Sequence, residues 1–179
     1  LFLLCNPEGY PGIKIMIKEL LAEKRLTIVN KWTERILKTY PEETFRFLKG
    51  DRNRFSNPVG NIIISNADSI YDEIISGSSM EKLRLLLTDI IKIRTVQEFT
   101  PSEAIGFVYI LKKVLYEELQ ESLSDKMILN EFYELNECID RIALMAFDIF
   151  MECKEKVHRL RINEIRYNLS KVLDPAYDS

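Results

Sequence analysis

Chemistry needs convergent polar groups, and one corner of this chain offers them. In IIKIRTVQEFTPSEAIGFVYILKK, residues 90 to 113, Arg94 and Gln97 stand beside an apolar run, and Thr100-Pro101-Ser102-Glu103 restarts the chain. An arginine, an amide and a carboxylate at one turn are the minimum for an ion-reading or acid–base site. The same residues also suit plain joinery. Thr100 and Glu103 have the S/T-x-x-E spacing of a capping box, with Pro101 at the first helical position. Joinery is the simpler reading, with Arg94 and Gln97 tying the turn to its neighbours.

Other candidates carry less. His158 is the single histidine and lies among charges in KEKVHRLR, unlike an axial haem ligand in an apolar pocket. Cys5, Cys138 and Cys153 lack ligand or disulfide-framework spacing, which points to a reducing compartment and no transition-metal site. No GxSxG, Walker, GxGxxG or HExxH pattern occurs. The reading is therefore non-enzymatic and without cofactor, and an enzyme would have to use the Arg94–Glu103 corner. Arg94 and Asp148 both fall in segments read as mostly buried, where a charge needs partners. Arg94 is expected to bond Asp148, or else the corner carbonyls and Glu103; the alternative is that both snorkel to water.

Helices must position these groups. Across 179 residues, Gly and Pro together number only 12, hydrophobic residues are 46% and charged residues 30%, as in a soluble globular chain of long helices. The 3.6-residue period predicts helices from Ile13 to Tyr40, Pro41 to Leu48, Pro58 (capped by Asn57) to Ile75, a Ser78/Glu81 capping box into a helix through Ile93, Pro101 to Glu121, and a long helix after SLSD to Val172. Residues 1–12 read as irregular, 13–173 as one all-α domain and 174–179 as a tail. From 142 to 151 the last helix is apolar nearly all round, so it is either central or shared with a second copy. Ile142, Met145, Ile149 and Phe150 are the dimer-contact candidates. The aromatic residues Trp32, Phe55, Phe99, Phe107 and Phe147 read first as core, and as the lining of a small-ligand pocket if one is cut there.

The net charge of −3 excludes nucleic acid as the main partner. Between Lys154 and Lys171 six Lys or Arg outnumber Glu155 and Glu164. Cations near a helix C-terminus suit the macrodipole, and the alternative is a docking surface for an acidic partner. No apolar run reaches transmembrane length, and the opening LFLLC is too short for a signal segment and lacks a basic lead. The expected location is the cytoplasm. The chain opens on Leu rather than Met, so its native N-terminus is not read from it.

Three runs carry a family likeness: RFSNPVG, LTDIIKIRTVQEFTPSEAIGFVYILKKVL and DRIALMAFDIFMECKEKVHRLRINE. Through Asn57-Pro58-Val59-Gly60, through Arg94, Val96, Gln97, Phe99, Pro101, Ser102 and Ala104, and through Arg141, Ala143, Leu144, Ala146, Phe147, Asp148, Arg161 and Glu164, the chain resembles the N-terminal sensor domain of RsbRD-type RsbT co-antagonist proteins. The likeness spans most of residues 20 to 170. It implies a non-catalytic, globin-like helical domain without haem, dimeric, that passes a signal to a following STAS domain or histidine kinase. Here the chain ends at DPAYDS. Either it was cut there, or it is a stand-alone member acting on a separate output partner. The competing reading is a helical interaction or scaffold module without a ligand.

Overall fold

A computed structural model describes residues 14–50, 55–77 and 79–173. They form seven α-helices: α1 Ile15–Glu23, α2 Arg25–Leu37, α3 Glu42–Gly50, α4 Pro58–Ser76, α5 Met80–Val96, α6 Pro101–Leu119 and α7 Lys126–Leu173, with a 3-10 turn Ser122–Ser124 before α7. The expected all-α class is what the described residues form. None of their helices is long and apolar enough to cross a membrane.

Local chemistry sets most boundaries. Asn57 Oδ1 accepts the Gly60 amide and Pro58 opens α4, which ends at Gly77 in the left-handed region, φ 63°. Thr100 and Glu103 form the reciprocal capping box of α6. Two expectations shift. The single helix expected from Ile13 to Tyr40 breaks at Lys24, whose ψ of 7° ends α1 and starts α2. The cap of α5 is Ser79, whose hydroxyl accepts the Lys82 amide; Ser78 lies outside the described residues, as do residues 1–12, Cys5 among them.

The core is one continuous cluster drawn from all seven helices. α7 packs against both α5 and α6, and α4 and α2 close the far side. Trp32 on α2 stacks on Phe107 of α6, centroids 6.4 Å apart, and its Nε1 donates to the Phe107 carbonyl at 2.7 Å. Stacking plus a satisfied N–H is how a fully buried indole is tolerated. The N-terminus of α1 is held by Glu131 on α7, whose Oε2 accepts the Ile17 amide at 2.8 Å across 114 residues of sequence. A carboxylate at a helix N-terminus satisfies an orphan donor and suits the macrodipole.

The bundle does not contain all of α7. Ala146, Ile149, Phe150 and Cys153 are its last buried residues. From Arg159 through Lys171 every side chain is exposed.

Candidate functional site

Arg94 sits in the last turn of α5, where a cation is favoured by the helix dipole. It is 0% exposed. Its Nη1 donates to the Glu103 carbonyl at 2.8 Å, and its Nη2 donates to Thr39 Oγ1 at 2.9 Å and to the Ile36 carbonyl at 3.4 Å. Three rings surround the guanidinium, with Cζ 5.5 Å from the Tyr40 centroid, 5.0 Å from Phe99 and 5.6 Å from Phe107. Desolvated cation–π contacts contribute about 2 kcal/mol or more apiece. Arg94 thereby joins the end of α2, the end of α5 and the start of α6.

Among the described residues no carboxylate pairs with this charge. Burial pushes the guanidinium below its ordinary range, opposed in part by the Tyr40 phenol and Glu103. Burial also raises the Tyr40 phenol. The Arg94 Nε and the Tyr40 hydroxyl are both buried without a hydrogen-bond partner among the described residues. A cation with no anion beside it, wrapped in rings and carbonyls, is costly to build and closed to substrates.

Of the two partners expected for Arg94, the corner carbonyl of Glu103 is the one it meets. Asp148 is exposed on α7, which corrects its reading as a buried charge. Gln97 is the C-cap of α5 and points outward, and the Glu103 carboxylate is spent on the cap, accepting the Thr100 amide at 2.9 Å. That bonding holds the Glu103 carboxyl below its usual range. Between them Glu98 turns the corner with φ 63°, a left-handed conformation strained for a residue with a Cβ. Its Oε1 accepts from Arg161 on α7 at 2.8 Å, which keeps its carboxyl low.

The five pocket-lining candidates do not all converge. Trp32 and Phe107 are core and Phe99 edges Tyr40 beside Arg94, but Phe55 is 96% exposed and Phe147 is 42% exposed. A shallow depression of about 390 Å³ lies elsewhere, along Met151, Glu152, Lys154, Glu155 and His158 of α7. The dimer-contact candidates are also redistributed. Ile142, Ile149 and Phe150 are buried in the chain's own core and Met145 packs half-buried against it. Opposite them on α7, Tyr133, Leu144, Phe147 and Met151 face outward.

Sequence reading missed Thr39, Tyr40 and Glu131. Thr39 and Tyr40 carry a faint signal, since they precede Pro41 at a helix end where backbone groups need partners. Glu131 carries none, because a carboxylate in a helix is ordinarily a solvated one.

Among the described residues no group of three or more His, Cys, Asp or Glu stands together as metal ligands would. Cys138 and Cys153 are buried, free thiols. Burial pushes Cys138 up to about 11 and raises Cys153 as well. At pH 8 only about a thousandth of Cys138 is thiolate, the reactive form. In a Cys5→Ser background, Ellman's reagent should therefore label neither thiol over minutes in buffer and both at once in urea. Fast labelling in buffer would show that α7 opens from α5 and α6.

Comparison with known proteins agrees with this picture. Residues 27–165 match the model of the RsbT co-antagonist protein rsbRD N-terminal domain. An uncharacterized protein of Archaeoglobus fulgidus is 27% identical over 157 residues, covering 85% of this chain and 93% of that protein. No solved structure matches the chain. With most of its length matched, and with the corner, the capped α4 and the long α7 in the places described, the chain belongs to the family of RsbT co-antagonist protein rsbRD N-terminal domains.

Proposed function

We propose that this chain is a non-catalytic signal-input domain, of the haem-free, globin-like stressosome kind that the family implies, acting in the cytoplasm as a homodimer through contacts with an output partner. The observation that carries the reading is the outer face of α7. Leu144, Phe147 and Met151 line one side of it over about 10 Å at 1.5 Å per residue, in line with the exposed Tyr133 and opposite the buried Ile142, Ile149 and Phe150. Exposed large apolar side chains grouped on one helix face suit an interaction site. Support for a non-catalytic role comes from Arg94, the most deeply buried charged group among the described residues, which is sealed by the surrounding rings and carbonyls. His158, the single histidine, is exposed among charges on α7 rather than set in an apolar pocket.

Native mass spectrometry of the purified chain tests this. The expected result is a dimer mass. Leu144→Glu/Phe147→Glu should raise the dimer dissociation constant about a hundredfold or more, since each buried carboxylate costs over 1.4 kcal/mol, a factor of ten. A monomer from the unaltered chain would sink the dimer. A releasable small mass would name what is sensed. The ligand-free scaffold reading draws on a different observation: Trp32 and Phe107 are stacked shut and Phe55 and Phe147 face outward, so the aromatic set encloses no common space.

A further inference from the structure

The last part of α7 is an anomaly for a helix in water. From Arg159 to Lys171 every side chain is exposed among the described residues, and Arg161 reaches back to Glu98. The exposed side chains include Leu160, Ile162, Ile165, Tyr167 and Leu169. An isolated helix of this length is marginal even with good helix formers. A surface helix is ordinarily polar on its free side, and this one is not.

The pattern says what covers it. At 100° per residue, Ile162, Ile165 and Leu169 lie on the same side of α7 as Leu144 and Met151, with the exposed Glu155 and His158 between the two apolar stretches. Both shoulders of that stripe are basic: Lys154 and Arg161 on one side, Arg159 and Arg166 on the other. Arg159 is paired with Glu155 within the helix, and Lys154, Lys156 and Arg166 meet no acid in a salt bridge among the described residues. Against a parallel second copy, Arg161 would face Arg166 of the other chain and Lys154 would face Arg159. Positions flanking a helical seam set partner choice through such pairs, and like charges there are rejected. An antiparallel copy fares no better, because both shoulders are basic.

We propose that residues 154–171 form a docking helix for an amphipathic helix with acidic shoulders, carried by the output protein. This rests on the regulatory reading above and adds the chemistry of its partner. Ile162, Ile165 and Leu169 supply the contact area, and the basic shoulders supply orientation and keep a second copy off this segment, leaving the dimer contact to Leu144, Phe147 and Met151. The Arg161–Glu98 bond places the docking helix in direct contact with the strained corner that follows Arg94.

The probe is a labelled helical peptide of about three heptads, with Leu and Ile on the seam and Glu on both shoulders, read by fluorescence anisotropy against the full chain. A control peptide carries Lys on the shoulders. The Glu peptide should bind at least about tenfold tighter than the Lys peptide. Its affinity should fall as salt rises from about 0.05 to about 0.5 M. Arg159→Glu/Arg166→Glu should abolish the preference, because Lys154 and Arg161 keep the other shoulder basic; both sites are exposed, and an unchanged circular dichroism spectrum and unfolding midpoint would show that the variant folds. Equal binding of the two peptides, or an unchanged preference in the folded variant, would overturn the proposal. So would sedimentation with anionic phosphatidylserine vesicles that the Glu peptide fails to compete away, since the surface would then be a membrane contact. A dimer mass together with failed peptide binding would remove this inference alone and leave the regulatory reading standing.

Discussion

Replacing Arg94 by alanine is expected to lower the unfolding free energy by about 3–5 kcal/mol, measured by urea denaturation at constant slope. The change removes a fully buried side chain from between three rings, leaving a cavity that the packed ends of α2, α5 and α6 close only in part. It also strips a donor from the Glu103 carbonyl and from Thr39, and a buried acceptor left unmade costs about 1–3 kcal/mol. Against these losses stands one gain. The guanidinium has no anion to offset its desolvation, so removing the charge returns some energy. Arg94→Met separates the two effects. Methionine fills most of the volume and keeps the contact with Tyr40, Phe99 and Phe107 without the charge, and should recover about 1–2 kcal/mol relative to alanine. If methionine costs as much as alanine, the carbonyl bonds dominate and packing is secondary. If alanine costs nothing, the side chain reaches water and is not sealed.

Which parts of this arrangement were legible beforehand follows from which interactions are local. The cap of α6 is written within four residues, Thr100 to Glu103, and the structure keeps it. The same holds for Asn57-Pro58 at α4. The break at Lys24 has no glycine or proline to mark it; it arises because α1 turns to pack against α7, where Glu131 takes the Ile17 amide. The orientation of α7 was illegible for a related reason. Between residues 142 and 151 nearly every position is apolar, so periodicity defines no inward side, and the choice falls to α5 and α6 packing on one face. That choice buries Ile142, Ile149 and Phe150 and exposes Leu144, Phe147, Met151 and Asp148. Once Asp148 is outside, Arg94 is left with carbonyls. The corner was thus readable as joinery from its caps, while the absence of an anion beside Arg94 required the tertiary structure.

Gly60→Ala and Gly106→Ala should move stability in opposite directions, although both glycines lie inside helices. A helical glycine is worth about 1 kcal/mol less than alanine, so the default expectation is a gain. Gly106, in α6, meets that default: a Cβ there finds no atom within 4 Å, and the change should stabilise by about 1 kcal/mol. At Gly60 a Cβ would lie 2.5 Å from Asn57 Nδ2, 2.7 Å from Asn57 Oδ1 and 2.8 Å from the Leu48 carbonyl oxygen. Those atoms cannot simply retreat. Asn57 is 1% exposed, its Oδ1 caps α4 through the Gly60 amide at 2.9 Å, and its Nδ2 donates to the Leu48 carbonyl near the end of α3, also at 2.9 Å. A methyl group must displace the amide, losing a cap worth about 0.5–2 kcal/mol and leaving a buried carbonyl unpaired for about 1–3 more. The net expectation is a loss of about 2–3 kcal/mol at Gly60. A double-mutant cycle checks the cause: Gly60→Ala should cost far less when Asn57 is already alanine, because the clash and the cap are the same atoms. Additive costs would place the difficulty at the Leu48 backbone instead, and a stabilising Gly60→Ala would mean that α3 and α4 do not meet at this close approach.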